Sequence, residues 1–359
     1  MGLHELTLRN FRLFESFTFA PDTTGVTVLL SPNGTGKTSI LEAVYALATA
    51  SSFRTSAASD MIRTNESLAE VHGVLFNDQR RIQVDLTLTR GARNTTKRML
   101  VNGQRPTSRA ALSEVLPITI FTPEGVDVVR QGPEHRRTLL NTLLTDADLS
   151  TGDIIERFAK VATQRNALLR RWQGHMPGPS GRSELAVWDA EFCVAAELLV
   201  AAREALVSAL SPLVEENYRL LAQNDQRVAL GYERSWSGGL ADALQASLGG
   251  DVVRGYSTVG PHRDDVAVRL DGRDARRQAS QGEQRSLALA WRLAGHTHIR
   301  QQRGIEPLLL LDDVFSELDP VRSDQLLKLL PASQTLVTTA SPLSRAMSPA
   351  VVLDISKRS

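Results

Sequence analysis

The segment Ser31–Thr38 constrains the fold of this chain more than any other. It reads Ser-Pro-Asn-Gly-Thr-Gly-Lys-Thr, follows an apolar run at Val26–Leu30 and leads into a helix-like run at Ser39–Ala50. A strand, a Gly-rich turn, Gly-Lys-Thr and a helix form the context that a phosphate-binding loop needs. Small residues let backbone N–H groups point at phosphate oxygens, and the helix start adds its positive dipole end. The segment therefore predicts a nucleoside-triphosphate site.

The positions of this loop have distinct expected roles. Lys37 would reach the β- and γ-phosphates of ATP, and the Thr38 hydroxyl would bind Mg²⁺. The pattern asks for Gly where this chain has Ser31, and we expect so small a residue to be tolerated. An ordinary strand–turn–helix connection with one buried Lys is the alternative. The predicted nucleotide-binding residues of the loop are Ser31, Pro32, Asn33, Gly34, Thr35, Gly36, Lys37, Thr38 and Ser39.

A second apolar run, Leu308–Leu311, ends in the paired acids Asp312 and Asp313. A short apolar run is typical of a strand buried on both faces of a parallel sheet, and nucleotide sites form at the carboxyl ends of such strands. We expect Asp312 to bind Mg²⁺, and Asp313 to orient the attacking water in catalysis together with Lys37. The acids could instead cap the next helix, but the Gly-Lys-Thr loop favours the nucleotide interpretation.

The segment Ala279–Arg285 reads Ala-Ser-Gln-Gly-Glu-Gln-Arg and precedes an apolar helical run at Leu287–Leu293. It resembles the signature motif of ABC-type ATPases, in which a Ser and a Gly at a helix start contact ATP held by the other subunit of a dimer. A Ser followed by Glu three residues later is also an ordinary capping box, so the motif alone is weak. The resemblance adds Ser280, Gln281, Gly282 and Glu283 to the predicted nucleotide contacts.

The order of the motifs is more specific than any one of them. Loop, signature and acidic strand follow one another, and Ser316–Asp319 after the strand resembles the D-loop of ABC-type ATPases. Leu8–Arg12 resembles the opening of the SMC-like branch of these ATPases, in which an Arg near this point approaches the nucleotide. That resemblance adds Arg12 as a further candidate. Solvated charge on an edge strand is the alternative for Arg9 and Arg12.

Three more segments resemble the RecF family of bacterial recombinational-repair ATPases. They are Thr258–Asp265 (Thr-Val-Gly-Pro-His-Arg-Asp-Asp), Ser52–Thr55 (Ser-Phe-Arg-Thr) and Gly132–Arg137 (Gly-Pro-Glu-His-Arg-Arg). The resemblance extends from Leu8 to about Thr339. It implies an ATPase that hydrolyses ATP slowly, dimerises, and binds DNA at repair gaps and junctions together with the partner RecR.

The chain departs from the ABC-type pattern at three positions. Asp313 stands where Glu is usual, and Leu336–Ala340 has Thr where a switch His is expected. Thr122 replaces the Gln that is expected after the strand Ile118–Phe121, for which Gln131 is a weaker candidate. A shorter acid should place the attacking water less well. The departures therefore indicate an ATPase that hydrolyses ATP slowly and acts as a switch, more than one that turns over rapidly as a motor.

Composition excludes several classes of protein. The 359 residues are 42% hydrophobic and 23% charged, which indicates a globular protein. No apolar run approaches the roughly 18 residues that a membrane span needs. Cys193 is the only cysteine, so no intrachain disulfide can form, and the opening residues do not resemble a signal peptide. We therefore expect a cytoplasmic protein without a membrane partner.

The net charge is only +1, but basic residues concentrate in one stretch. Eight of them lie between residues 80 and 109, opposed only by Asp85, and the alternating run Ile82–Leu88 predicts a strand in a meander. Such a surface suits backbone phosphates of DNA with little sequence preference, or simply solvent at a charged sheet edge. The candidates for DNA contact are Arg90, Arg93, Lys97 and Arg98, and the other basic members are Arg80, Arg81, Arg105 and Arg109.

Helical periodicity characterises the middle of the chain, from about Asp148 to Asp225, with a Gly- and Pro-rich loop at Gly174–Gly181. This pattern predicts an antiparallel helical hairpin, which resembles in position a short form of the coiled coil of SMC-like ATPases. Only about 240 residues separate Thr38 from Ser280, so a long arm is excluded. The polar face of the hairpin could touch DNA or solvent, and is expected to include Arg157, Lys160, Arg165, Arg170 and Arg171.

Together these features predict an α/β fold, an ABC-type P-loop ATPase head assembled from both chain ends with an inserted, mainly helical domain. We place the head at residues 1–120 and 256–359 and the helical domain at residues 121–255. The expected function is that of a RecF-like DNA replication and repair protein, an ATP- and Mg²⁺-dependent homodimer. Its expected partners are double-stranded DNA, single/double-strand junctions and a RecR-type mediator protein.

Two other functions remain as alternatives. The chain could be the head ATPase of another SMC-like repair or chromosome-structure complex, which the short insert and the Gly-Pro-His-Arg-Asp-Asp segment oppose. It could also be a transporter nucleotide-binding subunit. The missing switch His, the missing Gln and the large helical insert oppose that second alternative.

Overall fold

A computed structural model describes residues 2–77, 80–106, 112, 114–331, 333–340 and 351–355, apart from the side chains of Asn77 and Glu317. The structure divides into two compact units. Unit 1 comprises residues 1–125 and 299–359, and unit 2 comprises residues 126–298. Among the described residues, unit 1 contains two sheets and unit 2 one, and each unit has helices of its own.

The elements are bounded as follows in the described residues. The strands are β1 (Gly2–Phe11), β2 (Phe14–Phe19), β3 (Val26–Leu30), β4 (Leu68–Asn77), β5 (Arg80–Arg90), β6 (Thr95–Val101), β7 (Ile118–Phe121), β8 (Val228–Glu233), β9 (Asp265–Leu270), β10 (Arg273–Asp274), β11 (Leu308–Asp312), β12 (Thr335–Thr339) and β13 (Val351–Asp354). The helices are α1 (Lys37–Thr49), α2 (Asp127–Arg130), α3 (Pro133–Ala147), α4 (Thr151–Arg171), α5 (Pro179–Ala222), α6 (Leu240–Arg254), α7 (Ala275–Gln278), α8 (Gln281–Arg303) and α9 (Pro320–Leu329). Short 3-10 helices lie at Ala58–Met61, Pro123–Val126 and Val314–Glu317.

Unit 1 contains a parallel sheet of five strands in the order β13-β3-β12-β11-β7. Strands β11 and β12 are buried at every position, as is typical of interior strands of a parallel sheet. Because the strands run in the same direction, the carboxyl ends of β3, β11 and β12 lie at one edge of the sheet. This topology brings the predicted loop and the predicted acids to the same edge.

A second sheet of unit 1 is antiparallel, in the order β2-β1-β4-β5-β6. Its inner face and α1 share one apolar core. Helix α1 packs closely against the sheet at Gly73 of β4, where a Cβ atom would lie 2.6 Å from the Leu47 side chain. Packing of α1 against this sheet fixes the helix that begins at Lys37.

Unit 2 is built on the helices α4 and α5, which pack against each other, and on a small antiparallel sheet in the order β10-β9-β8. Helix α5 has 44 residues, so it is about 66 Å long at 1.5 Å per residue. Phe158 and Val161 of α4 pack with Phe192 and Ala195 of α5 in an apolar core.

The prediction that Arg165 lies on the polar face of the hairpin is wrong. Arg165 is fully buried, and its guanidinium donates to Asp189 at 2.7 Å and to Asp251 at 3.0 Å. Its position is three or four residues from Val161, Leu168 and Leu169, so it belongs to the buried face by helical periodicity. A buried charge is tolerated there because two carboxylates and the Ser257 hydroxyl, at 2.8 Å, accept its hydrogen bonds.

The compact units do not divide the chain where the two predicted domains do, which were a head at 1–120 and 256–359 and a helical domain at 121–255. The signature segment belongs to unit 2, where side-chain hydrogen bonds join the start of its helix to neighbouring elements. Arg130 donates to the Gln284 side chain at 3.0 Å, and that side chain in turn donates to the Ala275 carbonyl at 3.2 Å. The boundary after His298 falls inside α8. No helix among the described residues is long and apolar enough to span a membrane.

Candidate nucleotide-binding site

The loop between β3 and α1 has the backbone of a phosphate cradle. Gly34 and Gly36 have φ values of 84° and 99°, in the left-handed region that favours glycine. A Cβ atom at Gly36 would also lie 2.7 Å from the Phe14 ring, so only glycine fits there. Ser31 is not among the residues with positive φ, which explains why its position does not require the expected Gly.

Lys37 lies at the first position of α1 with its side chain turned back over the loop. Its Nζ donates to the Ser31 carbonyl, to the Pro32 carbonyl at 2.9 Å and to Asn33 Oδ1 at 3.4 Å. Burial lowers the pKa of Lys37, and the charges of Asp313 and Asp312 oppose that effect. The ammonium therefore lies among loop oxygens, where phosphate oxygens could take the place of these acceptors.

Thr38 and Asp312 meet although they lie on separate elements of the chain. Thr38 Oγ1 donates to Asp312 Oδ1 at 2.9 Å, and Thr338 Oγ1 donates to the same oxygen at 2.7 Å. Burial raises the pKa of Asp312, and these two hydrogen bonds oppose that effect. A hydroxyl and a carboxylate are hard oxygen donors of the kind that Mg²⁺ prefers beside phosphates, so this pair fits the predicted metal.

Asp313 follows β11 in the left-handed conformation, with φ 48° and ψ 27°. Its backbone N–H donates to the Thr338 hydroxyl at 2.9 Å and to the Thr338 carbonyl at 3.2 Å. Its Oδ1 atom is buried and has no hydrogen-bond partner among the described residues. A buried carboxylate oxygen without a partner is costly, and it marks a place where a water molecule could bind.

The loop opens onto a cleft of ≈ 520 Å³ within unit 1. One wall is the loop itself, and Asp313 also lines the cleft. The other wall comes from three segments that are separate in sequence. Its residues include Arg12, Arg54, Asp60 and Thr64.

A buried carboxylate holds the two arginines of this wall. Glu42 of α1 is fully buried and accepts from Arg12 Nε at 2.7 Å and from Arg12 Nη2 at 2.5 Å. Arg54 Nη1 donates to the same carboxylate at 3.4 Å, and the Ser52 hydroxyl donates to it as well. Solvated charge is therefore the wrong interpretation of Arg12. Arg9 is exposed and 4.0 Å from Glu70, but its strand β1 lies between β2 and β4, so it is not on an edge strand.

The family model described as "RecF/RecN/SMC N terminal domain" matches residues 2–351. The DNA replication and repair protein RecF of Heliobacterium modesticaldum is 33% identical over 360 residues, covering 97% of this chain and 94% of the relative. The RecF of Geobacter sulfurreducens is 36% identical, covering 87% and 86% of the two chains. The chain belongs to the RecF family. The predicted family is confirmed, and with it the predicted function of a RecF-like DNA replication and repair ATPase.

Solved structures confirm the ABC-type ATPase fold of this RecF-family chain. A structure of the recombination mediator protein RecF-ATP in the RecFOR pathway superposes with a TM-score of 0.85 at 26% identity, covering 95% of this chain and 92% of that one. The Smc head domain of Pyrococcus furiosus, bound to the C-terminal domain of ScpA, shares the fold with a TM-score of 0.54 at 16% identity over 95% and 90% of the chains.

The signature segment of the RecF-family chain forms the start of α8. Ser280 Oγ accepts from the Glu283 N–H at 3.3 Å, and Glu283 Oε2 accepts from the Ser280 N–H at 2.6 Å. This reciprocal pair is a capping box, and the bond from the Ser280 N–H lowers the pKa of Glu283. Gln281 and Gly282 form the first turn behind the cap. Contact of these residues with ATP stays a prediction.

The segment that resembles a D-loop, Ser316–Asp319, begins three residues after the catalytic candidate Asp313. Ser316 Oγ donates to the Asp313 carbonyl at 2.7 Å, and the Asp319 carboxylate accepts from the Arg322 N–H at 2.9 Å at the start of α9. Gln131, the substitute for the missing Gln, lies in unit 2, where its carbonyl accepts from Arg136 at 3.0 Å. Its role beside a nucleotide stays a prediction.

The two longest RecF-type segments hold each other within unit 2. Arg136 of the Gly132–Arg137 segment forms two hydrogen bonds with the Asp265 carboxylate, at 2.6 and 2.9 Å. Arg137 donates to the Asp264 carbonyl at 2.8 Å. The buried Asp264 carboxylate accepts from Tyr232 OH at 2.7 Å, and burial raises the pKa of Tyr232. These segments therefore stabilise the interior of unit 2.

The structure divides the DNA-contact candidates between two faces of the antiparallel sheet. Lys97 and Arg98 are consecutive on β6, so their side chains point to opposite faces. Lys97 Nζ donates to the Ala50 carbonyl at 3.0 Å, and Arg90 Nη2 donates to the Ser59 carbonyl at 3.2 Å. Arg93 is exposed in the turn between β5 and β6.

The remaining basic residues of this stretch lie elsewhere. Arg80 and Arg81 are at the start of β5, about 30 Å from Arg90 at roughly 3.3 Å per residue. Arg105 follows β6, and Arg109 lies outside the described residues. The DNA surface thus stays a prediction that concerns chiefly the β5–β6 turn.

Sequence reasoning missed three residues of the site, namely Arg54, Glu42 and Thr338. Arg54 lies in the Ser52–Thr55 segment, which served only to establish the family resemblance. Glu42 is the lone acid of α1 and lies among the apolar residues that follow Ser39, and such a residue indicates a buried partner. Thr338 lies in the Leu336–Ala340 segment, which was noted only for its missing switch His, and its contact with the acids depends on the pairing of β12 with β11.

Proposed function

We propose that this RecF-family protein binds Mg²⁺-ATP in the cleft of unit 1 and uses the nucleotide to close a homodimer on DNA. The observation that supports it best is the meeting of Lys37, Thr38, Asp312 and Asp313 at one edge of the parallel sheet. These residues come from two segments far apart in sequence. Their assembly gives the cation, the oxygen donors and the carboxylate that phosphoryl transfer to water needs.

Each residue of the site has a distinct role in this proposal. The N–H groups of the loop and the Lys37 ammonium bind the β- and γ-phosphates. Thr38 and Asp312 would hold Mg²⁺, which when bound neutralises phosphate charge. Asp313 accepts a hydrogen bond from the attacking water through its unpartnered Oδ1 and thereby orients that water toward the γ-phosphate.

The signature segment completes the site across two subunits in the proposed dimer. The Ser280 hydroxyl and the N–H groups of Gln281 and Gly282, at the start of α8, would contact the γ-phosphate held by the partner. Helix α8 has 23 residues, and the positive end of its dipole, at its start, favours an anion. Glu283 is already engaged with the Ser280 N–H, so its expected role in nucleotide contact is indirect.

DNA and a mediator protein are the proposed macromolecular partners. RecF relatives carry the name of DNA replication and repair proteins, and a similar solved structure is described as a recombination mediator in the RecFOR pathway. We infer that this chain binds double-stranded DNA and junctions through the β5–β6 turn, and that a RecR-type protein assists it. We place the protein in the cytoplasm.

Measurement of molecular mass by light scattering, with and without Mg²⁺-ATP and duplex DNA, tests this function. We expect a larger dimer fraction with ATP and a further increase with DNA. Replacing Lys37 by Met should weaken ATP binding roughly 10- to 100-fold, because a charge-assisted hydrogen bond contributes about 1.5–3 kcal/mol. The variant should therefore remain monomeric at ATP concentrations that convert the parent.

Lys328→Met is the matched control, because Lys328 is exposed near the end of α9. It should dimerise as the parent does. Equal nucleotide binding by the Lys37 variant and the parent would contradict the assignment of the cleft.

Affinity for duplex DNA is expected to fall steeply with salt. A plot of log affinity against log salt has a negative slope, and each DNA phosphate that a side chain neutralises makes it steeper by about 0.9. Neutralising Arg90, Arg93, Lys97 and Arg98 together should therefore make the slope shallower by up to about 3.6 per protomer. The measurement is a salt titration of fluorescence anisotropy with labelled duplexes of two unrelated sequences, with and without ATP. Both sequences should bind equally, because phosphate contacts do not specify bases.

Two double variants separate DNA contact from local structure. Arg93→Gln with Arg98→Gln changes exposed residues, whereas Arg90→Gln with Lys97→Gln also removes the bonds to the Ser59 and Ala50 carbonyls. Arg219→Gln with Arg227→Gln, at exposed positions of unit 2, changes the net charge equally. If this control lowered the slope as much as the β5–β6 variants do, the DNA surface would lie elsewhere.

A further inference from the structure

Thr338 lies between the strand that precedes the phosphate-binding loop, β3, and the strand that ends in the acid pair, β11. Its strand, β12, is the neighbour of both β3 and β11, and Thr338 is paired in register with Leu29 on one side and Asp312 on the other. The side chain is fully buried. The hydroxyl of Thr338 is therefore held next to the last residue of the acidic strand.

This one hydroxyl bonds to both acids of the site. It donates to Asp312 Oδ1 at 2.7 Å and accepts from the N–H of Asp313 at 2.9 Å. A hydroxyl has one donor and can accept as well, so both of its capacities are used on the acid pair. Asp312 is thus bonded through its side chain and Asp313 through its backbone.

The bond to Asp313 acts on a residue whose backbone conformation is unfavourable. Asp313 has φ 48°, in the left-handed region that non-glycine residues rarely adopt. Such a conformation persists only where the surroundings stabilise it. The N–H of Asp313 is bonded to the carbonyl and the hydroxyl of Thr338, so Thr338 stabilises the turn that directs the Asp313 carboxylate.

We propose that Thr338 is the positioning residue for both acids, orienting Asp312 toward the metal and Asp313 toward the attacking water. The inference rests on the proposed ATP hydrolysis. Thr338 occupies the segment in which a switch His was expected, but a hydroxyl cannot supply a charge there. It acts through geometry, so its loss should lower the rate of hydrolysis more than the affinity for ATP.

The decisive substitution is Thr338→Val, which removes the hydroxyl and keeps the branched shape. Thr38 still donates to Asp312, and the Thr338 carbonyl still accepts from Asp313, so we expect the variant to fold. Thr338→Ser keeps the hydroxyl. Thr335→Val makes the same change at a fully buried residue of β12 whose hydroxyl bonds only weakly, at 3.4 Å, to the Ser333 carbonyl.

Three quantities are measured on each full-length variant. They are the affinity for a fluorescent ATP analogue without metal, the affinity for Mn²⁺ in the presence of a non-hydrolysable ATP analogue by electron paramagnetic resonance, and kcat for ATP. For Thr338→Val we expect unchanged analogue affinity and losses of about 10- to 100-fold in Mn²⁺ affinity and kcat, as for other groups that orient metal ligands. Thr338→Ser and Thr335→Val should both retain parent values within about threefold.

Parent values of kcat and Mn²⁺ affinity in Thr338→Val would overturn the proposal. Equal losses in Thr338→Ser and Thr338→Val would also overturn it, because Ser keeps the hydroxyl and the losses would then not depend on it. If Thr338→Val melts well below the parent by circular dichroism, Thr338→Cys replaces it, since a thiol is a weak donor and acceptor of similar size. Its retention of parent values would overturn the proposal. Failure of the parent to bind the ATP analogue would instead reject the proposed function itself.

Discussion

Replacing Asp313 by Asn is expected to lower ATP hydrolysis at least about 100-fold, because a positioned base contributes roughly 10²- to 10⁴-fold to a rate. The amide keeps the size of the side chain and loses the charge that orients the attacking water. ATP binding should persist, since the loop and Lys37 are unchanged. The ATP-bound dimer should therefore accumulate, and light scattering after addition of ATP should show it outlasting the parent dimer.

Asp60→Asn is the matched control for this prediction. Asp60 also lines the cleft, but its carboxylate accepts from the Thr55 hydroxyl at 2.6 Å and it belongs to the short 3-10 helix at Ala58–Met61, not to the acid pair after β11. We expect kcat within about threefold of the parent. Single-turnover assays separate the chemical step from product release. Hydrolysis by Asp313→Asn at the parent rate would remove Asp313 from the catalytic role.

Replacing Ser280 by Arg is expected to abolish the ATP-dependent dimer and leave ATP binding to the monomer intact. The bulky side chain would occupy the place where the start of α8 meets the partner's ATP in the proposed composite site. We expect dimerisation at least about 100-fold weaker, which corresponds to about 2.7 kcal/mol. Light scattering over a range of protein concentrations, with ATP present, measures this loss.

Two further variants distinguish a blocked interface from a damaged helix. Ser280→Ala removes the cap, which costs about 1 kcal/mol, and adds no bulk. Ser183→Arg introduces the same side chain at an exposed position of α5. The alanine variant should dimerise measurably and the Ser183 variant fully. Normal dimerisation of Ser280→Arg with ATP would contradict the composite site.

The nucleotide-binding elements were accessible from the sequence because their signals are local. The apolar run before the loop is β3 at the predicted bounds, and Leu308–Asp312 is a fully buried interior strand. Gly34 and Gly36 are needed for the backbone that their motif predicts. Contact between Thr38 and Asp312 followed from the rule that parallel strands end at a common edge.

The features that sequence reasoning missed depend on contacts between distant segments. Arg12, Glu42 and Arg54 form one cluster only because β1, α1 and the following loop converge on the cleft. Arg165 was assigned to a polar face because its charge outweighed its periodicity, although the periodicity indicated burial. A buried ion pair becomes predictable only when the partner carboxylates are known, and Asp251 is 86 residues away in sequence.

The left-handed turn at Asp313 bears on why this chain has the shorter acid where related ATPases use Glu. Asp and Asn adopt the left-handed region more readily than other non-glycine residues, because their short polar side chains bond locally. The Asp313 side chain makes no such bond among the described residues, and the two bonds from its N–H to Thr338 stabilise this backbone instead. A longer acid at this φ would carry a conformational cost of about 1–2 kcal/mol. Replacing Asp313 by Glu would thus lengthen the side chain and increase the backbone strain at the same time. A Glu introduced to accelerate turnover would therefore shift the folding equilibrium against the protein.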